Sequence, residues 1–149
     1  MRKIFIDELI IAAKKNKKII LIVNDLGYSV VEKFATLFPK QFYNAGVAEQ
    51  NMMGLASGMA LEGYHVFVYS IGNFPTFRCA EQIRNDLDYH NLPVTIVNVG
   101  AGVSYGNLGY SHHSIQDYAL VRSFPNMLIA APTINSCLKS SRPPLSQIS

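Results

Sequence analysis

Ile19-Ile20-Leu21-Ile22-Val23-Asn24-Asp25-Leu26-Gly27 is the stretch that decides the fold. An unbroken, mostly β-branched run has no alternation between a dry and a wet face, so its strand is covered on both sides, as in a parallel sheet flanked by helices. The run stops at a polar turn, Asn24 to Gly27. That turn sits at the strand's carboxyl end, the edge where open α/β sheets hold their ligands. Upstream, Phe5, Leu9, Ile10, Ala12 and Ala13 form a helical stripe, and the lysines from Lys14 onward suit the helix's carboxyl end through the helix dipole. Downstream the reading is a short helix over 29–37 closed by Pro39, a short strand at Phe42-Tyr43-Asn44, a helix over 47–61, and a strand at 65–70. Then come a helix over 76–90, a strand over 93–99, a helix over 114–123 and a strand at 127–131. Strands alternating with helices predict an α/β, doubly wound parallel sheet with helices on both faces.

The chain of 149 residues is long enough for one domain with a real core. Hydrophobic residues make up 49% and charged residues 15%, against about 25% charged in a typical soluble domain. Part of the surface is therefore expected to be covered by a partner, because charge is depleted at interface cores. No apolar run reaches the roughly 20 residues that span a bilayer. The early acids Asp7 and Glu8, without a cleavage pattern, do not read as a signal peptide, so the protein is expected in the cytoplasm with no membrane role. Cys79 and Cys137 lack paired spacing or a ligand cluster; free thiols in a reducing compartment are expected, and no metal ligands. Net charge is +3, and Lys14-Lys15-Asn16-Lys17-Lys18 has no interleaved aromatic set, so it reads as a solvated helix end rather than a nucleic-acid surface. After Pro132 the chain turns Ser/Pro-rich and loses helical and strand period; residues 133–149 read as an irregular tail with a truncated or frameshifted end.

Two segments at the ligand edge carry candidate chemistry. The first, Gly46-Val47-Ala48-Glu49-Gln50 and the helix that follows, is rich in Gly, Ala and Ser. Glycine costs about 1 kcal/mol against alanine inside a helix, so these glycines need a packing or functional reason. Glu49 is an acid in the first turn, favoured there by the dipole. The second is the loop Gly100 to Gly109 with Gly102 and Gly106, which leads to Ser111-His112-His113.

Taken in order, these segments resemble the transketolase and deoxyxylulose-phosphate-synthase superfamily. Asn44-Ala45-Gly46-Val47-Ala48-Glu49-Gln50-Asn51-Met52-Met53-Gly54 resembles its glutamate helix. Phe74-Pro75-Thr76-Phe77-Arg78-Cys79-Ala80-Glu81-Gln82-Ile83 is similar to its aromatic segment and Asp/Glu-Gln-Ile helix. Gly109-Tyr110-Ser111-His112-His113 resembles Gly-Pro-Thr-His-Gln, Phe124-Pro125-Asn126 its Pro-Asn approach to the last strand, and Asn24-Asp25-Leu26-Gly27-Tyr28-Ser29 its Ala-Asp-Leu-x-x-Ser. The resemblance runs from about Arg2 to Pro132, so residues 1–132 are expected to be a pyrimidine-binding domain of this superfamily.

The resemblance implies thiamine diphosphate as cofactor, shared with a partner chain at a subunit interface. Glu49 is implied as the catalytic carboxyl that hydrogen-bonds the aminopyrimidine N1′ and promotes loss of the thiazolium C2 proton. Phe74, or second Phe77, is implied as the aromatic that stacks on the pyrimidine. His112 is implied to contact substrate oxygens and assist proton transfer, with Ser29 and Arg2 as donors to a sugar phosphate. Asp25 is either a strand-end cap or part of the cofactor surround. Gly100 and Leu108 stand where transketolase has a histidine and an aspartate, and the loop around Ser104-Tyr105-Gly106 is expected to recognise a different sugar. The sequence lacks the Gly-Asp-Gly that holds diphosphate and Mg²⁺, so the implied arrangement is a split enzyme. This chain would be the carboxyl-terminal subunit of a homo- or hetero-oligomer, and a diphosphate-binding partner subunit would hold the Mg. The expected reaction is transfer of a two-carbon ketol unit between sugar phosphates. A synthase or a 2-oxo acid dehydrogenase β-type subunit, and a non-catalytic assembly module, are the alternatives.

Overall fold

A computed structural model describes residues 2–132 of the chain. Helix α1 (Arg2–Lys15) leads into β1 (Ile19–Val23), α2 (Glu32–Leu37) and β2 (Phe42–Asn44). Then follow α3 (Glu49–Leu61), β3 (His65–Ile71), α4 (Asn73–Phe77) and α5 (Ala80–Gln82), which continues as a π-helical turn (Ile83–Asp88) into β4 (Val94–Val99). A 3₁₀ turn (Gly106–Leu108) and α6 (Asp117–Val121) complete the described elements. The sheet has four strands in the order β2-β1-β3-β4, and every pairing is parallel.

The expected double cover is present, and β1 shows why. All five of its residues are buried, and successive side chains point to opposite faces. Ile19, Leu21 and Val23 join a core with Ile6, Leu9, Ile10 and Ala13 of α1, Phe34 of α2, and Phe67 and Tyr69 of β3. Ile20 and Ile22 join a second core with Met52, Met53 and Ala56 of α3, Val66 and Val68 of β3, and Cys79, Ile83 and Leu87.

Two expectations are corrected. The helix expected over 76–90 is interrupted at Arg78 and Cys79, and its second half is a π turn. The strand expected over 127–131 is absent: these residues pair with no strand, and Leu128 is 86% exposed. Apolar, β-prone composition is not sufficient where no ladder forms, and β4 is an edge whose residues are mostly half-buried. The tail expected over 133–149 lies outside the described residues, as does Cys137.

Connections from β1 and β3 leave in opposite directions across the sheet, β1 to β2 on one side and β3 to β4 on the other. The crevice between their carboxyl ends is the switch point where ligands of such sheets bind.

Candidate active site

Glu49 is the first residue of α3 and is buried, 5% exposed. It lies at that crevice because β2 ends at Asn44 and the Ala45–Ala48 turn delivers the helix start to the carboxyl edge. Gly46 has a left-handed φ of 71° in this turn, and Asn44 Oδ1 accepts from the Gly46 and Asp25 amides at 3.0 and 2.9 Å.

Two donors hold the carboxylate. Asn24 Nδ2, just past β1, donates to Oε1 at 2.8 Å, and Arg78 Nη1, just past α4, donates to the same oxygen at 3.0 Å. Neither bond uses Oε2. Asn24 is 2% exposed, and its own Oδ1 is buried with no hydrogen-bond partner. Arg78 stays half open, with its side chain 51% exposed. Its guanidinium lies over the Phe74 ring, 4.3 Å from the centroid, a cation–π geometry. Its backbone carbonyl accepts from Gln50 Nε2 at 3.0 Å, which ties the interrupted helix to α3. Beneath them Cys79 is fully buried; burial first, then the Glu49 carboxylate, pushes its thiol up to about 12, against the opposing pull of Arg78.

His112 comes to the same edge. Its ring meets Phe74 edge-on at 5.1 Å and Tyr105 at 6.1 Å, and its Nδ1 lies 3.0 Å from Ser111 Oγ. Tyr105 fills the space above Gly100: a Cβ added there would lie 2.0 Å from its ring, and φ at Gly100 is +78°. The loop closes through paired backbone bonds between Gly102 and Ser114 at 2.9 Å, and His113 Nε2 lies 3.0 Å from Gly106 O.

The structure thus brings together Glu49, Phe74 and His112 from the expected set. Phe77 is 40% exposed and takes part in none of these aromatic pairs. Ser29 lies on the α1 side of the sheet, whereas Arg2 comes near Tyr69 at the carboxyl end of β3. Ser29, with a left-handed φ of 61°, lines a hollow of about 380 Å³ with Lys3, Ile6, Asp7, Glu32 and Lys33. Glu32 accepts from the Ser29 amide at 2.7 Å and is held below its usual value by its own and the Ser29 backbone N–H. Arg2 is exposed at the start of α1. Tyr69 is fully buried at the end of β3, and its hydroxyl has no hydrogen-bond partner. Burial raises its pKa, and the positive charge of Arg2 opposes that rise.

Sequence reasoning missed Arg78 and Asn24 as partners of Glu49. Both left a signal: Arg78 stands four residues after Phe74, on one helical face, and Asn24 is a polar residue where the family pattern has alanine.

Comparison with known proteins gives the family. The family model described as transketolase, pyrimidine binding domain, matches residues 1–139. This chain belongs to that family. Its relatives include a subunit of the apulose-4-phosphate transketolase of Phocaeicola vulgatus, 41% identical over 88% of this chain and 42% of the relative. The 1-deoxy-D-xylulose-5-phosphate synthase of Pelotomaculum thermopropionicum is 40% identical over 71% of this chain and 16% of its own. Among solved structures, that of a split gene transketolase in an inactive beta4 tetramer superposes with a TM-score of 0.81 at 35% identity, over 93% of this chain and 44% of that one. The chain therefore spans less than half the length of these relatives. Its family implies use of thiamine diphosphate. Among the described residues no helix is long and apolar enough to cross a membrane.

Proposed function

We propose that this chain is the pyrimidine-binding subunit of a thiamine-diphosphate-dependent, transketolase-like enzyme that moves a two-carbon ketol unit between sugar phosphates. The single observation that carries the reading is the buried Glu49 carboxylate, placed at the switch-point crevice with Oε2 unused by its two donors. The residues fit the cofactor's ring half: an acceptor for the ring nitrogen in Glu49, a flat apolar face in Phe74, and an unpartnered buried acceptor in Asn24 Oδ1. When bound, the cofactor supplies the electron sink for carbon–carbon bond cleavage. The chain's own part is to hold the ring, keep the carboxyl directed at N1′, and present His112 to the substrate from beside Phe74. A partner chain supplies the diphosphate and Mg²⁺ site. The outward face of α3 supports such a partner, because a Cβ at Gly54 or Gly58 would meet nothing within 4 Å and Leu55 and Leu61 are exposed.

The Tyr105 ring over Gly100, where the family pattern has a histidine, favours a second reading, a synthase with a 2-oxo acid donor. Comparing ketose and 2-oxo acid donors separates the two. The first test is hydrogen–deuterium exchange at thiazolium C2, followed by NMR with this chain, a Gly-Asp-Gly partner chain, thiamine diphosphate and Mg²⁺. Fast exchange that falls at least about a hundredfold in Glu49→Gln is expected for loss of the proton-transfer partner. Exchange at the free-cofactor rate in a demonstrated complex overturns the reading.

A further inference from the structure

We infer that Arg78 is an affinity-setting residue of the cofactor site: its guanidinium covers the Phe74 face on which the aminopyrimidine ring would stack, anchored there by Glu49 Oε1, and must swing aside when the ring binds. The inference rests on the reading of Glu49 and Phe74 as the ring's partners. An aminopyrimidine is a flat, delocalised group that stacks on an aromatic face and meets a carboxyl through its edge. A guanidinium is also flat and delocalised, with a fork of donors along its edge. Arg78 makes both contacts together, donating to Glu49 Oε1 at 3.0 Å while lying 4.3 Å over Phe74.

The surroundings set what moves. Gln50 Nε2 holds the Arg78 carbonyl at 3.0 Å, so the backbone is fixed to α3. The side chain is 51% exposed and has solvent to enter, whereas Asn24 is 2% exposed and stays on Glu49. Displacement therefore costs one half-exposed ion pair and one cation–π contact, each a modest interaction. Until then Arg78 and Asn24 share Oε1 as its two donors.

The test uses the full chain, ¹⁵N-labelled at arginine, titrated with 4-amino-2-methylpyrimidine, the ring portion alone. In the native chain the ring is expected to move the Arg78 Nε resonance toward the position of a solvated arginine. Arg78→Ala should bind the ring about five- to tenfold more tightly, the scale of the two contacts removed. Arg78→Lys, which keeps the charge but not the plane, should fall between them and guards against a folding defect in the alanine variant. An unmoved Arg78 signal, or ring affinity in Arg78→Ala equal to or below that of the native chain, overturns the inference. If ring binding is nonetheless lost in Glu49→Gln, the cofactor reading stands and only the role of Arg78 falls. Absence of ring binding in every variant overturns both.

Discussion

The two edges of the sheet treat buried polar groups differently. At the amino edge Gln41 is 8% exposed, and its Nε2 donates to Ile19 O at 2.6 Å and Asn16 O at 3.2 Å. Nearby His65 is 6% exposed, stacks on Phe67 at 4.5 Å, and has Nε2 3.0 Å from Thr95 Oγ1. At the carboxyl edge the oxygens of Asn24, Tyr69, Ser70 and Ser114 are buried with no partner. A buried polar atom left unpaired costs about 1–3 kcal/mol. Among the described residues one such atom is left unpaired at the amino edge, His65 Nδ1, against four at the carboxyl edge. The carboxyl edge gives up stability to keep polar atoms available, as functional sites do.

Four substitutions or titrations sharpen or break this contrast. The largest effect is expected for Glu49→Gln at the carboxyl edge. It should leave the unfolding free energy from urea denaturation within about 1 kcal/mol of native, while C2 exchange in the complex collapses; a large loss of stability instead would make Glu49 a structural residue. Next is Gln41→Ala at the amino edge, which removes the side-chain donor to Ile19 O and one of the two donors to Asn16 O and should cost about 1–3 kcal/mol by urea denaturation. A cost near zero removes the contrast.

The third concerns pH. Burial holds the His65 pKa below its ordinary value of 6.5. Above 6.5 the ring is neutral in both folded and unfolded chains, and its contribution is complete. As pH falls through 6.5 the unfolded chain takes up the proton first, so stability declines toward acid. Thermal melts from pH 8 to pH 5 should show this decline, and His65→Phe should flatten it. The smallest effect is expected for Tyr69→Phe, which removes an unpartnered hydroxyl and should be neutral or stabilising by up to about 1 kcal/mol. A cost above that would reveal a partner for the hydroxyl. Thiol reactivity offers a side check: with a pKa of about 12, Cys79 in a Cys137→Ser background should resist iodoacetamide at pH 8 until the chain unfolds.

Much of this was legible from residue order. The Ile19–Val23 run announced a strand buried on both faces, and its odd and even residues do feed two cores. Glu49 was legible because glycine, two residues and an acid precede a small-residue helix, and the helix begins at that acid. What was not legible depends on contacts distant in sequence. The Arg78–Glu49 pair spans 29 positions and forms only after β3 places α4 beside α3. The place of Ser29 in a hollow with Lys3, Ile6 and Asp7 follows from the face on which α1 packs, which no local pattern encodes. The strand expected at 127–131 failed for a related reason: a strand is completed by its neighbour, not by its own composition.

The alternation in β1 also bears on how this sequence can change over generations. With every side chain of the strand committed to one core or the other, loss or gain of a single codon there would send Leu21 and Val23 toward α3 and Ile20 and Ile22 toward α1. Both hydrophobic layers would be mispacked at once. Viable length variation is therefore confined to places such as the exposed Val103–Leu108 loop, where Val103 and Leu108 are 62% and 51% exposed. Changes of loop length can be sampled there while the strand that carries Asn24 to Glu49 keeps its length.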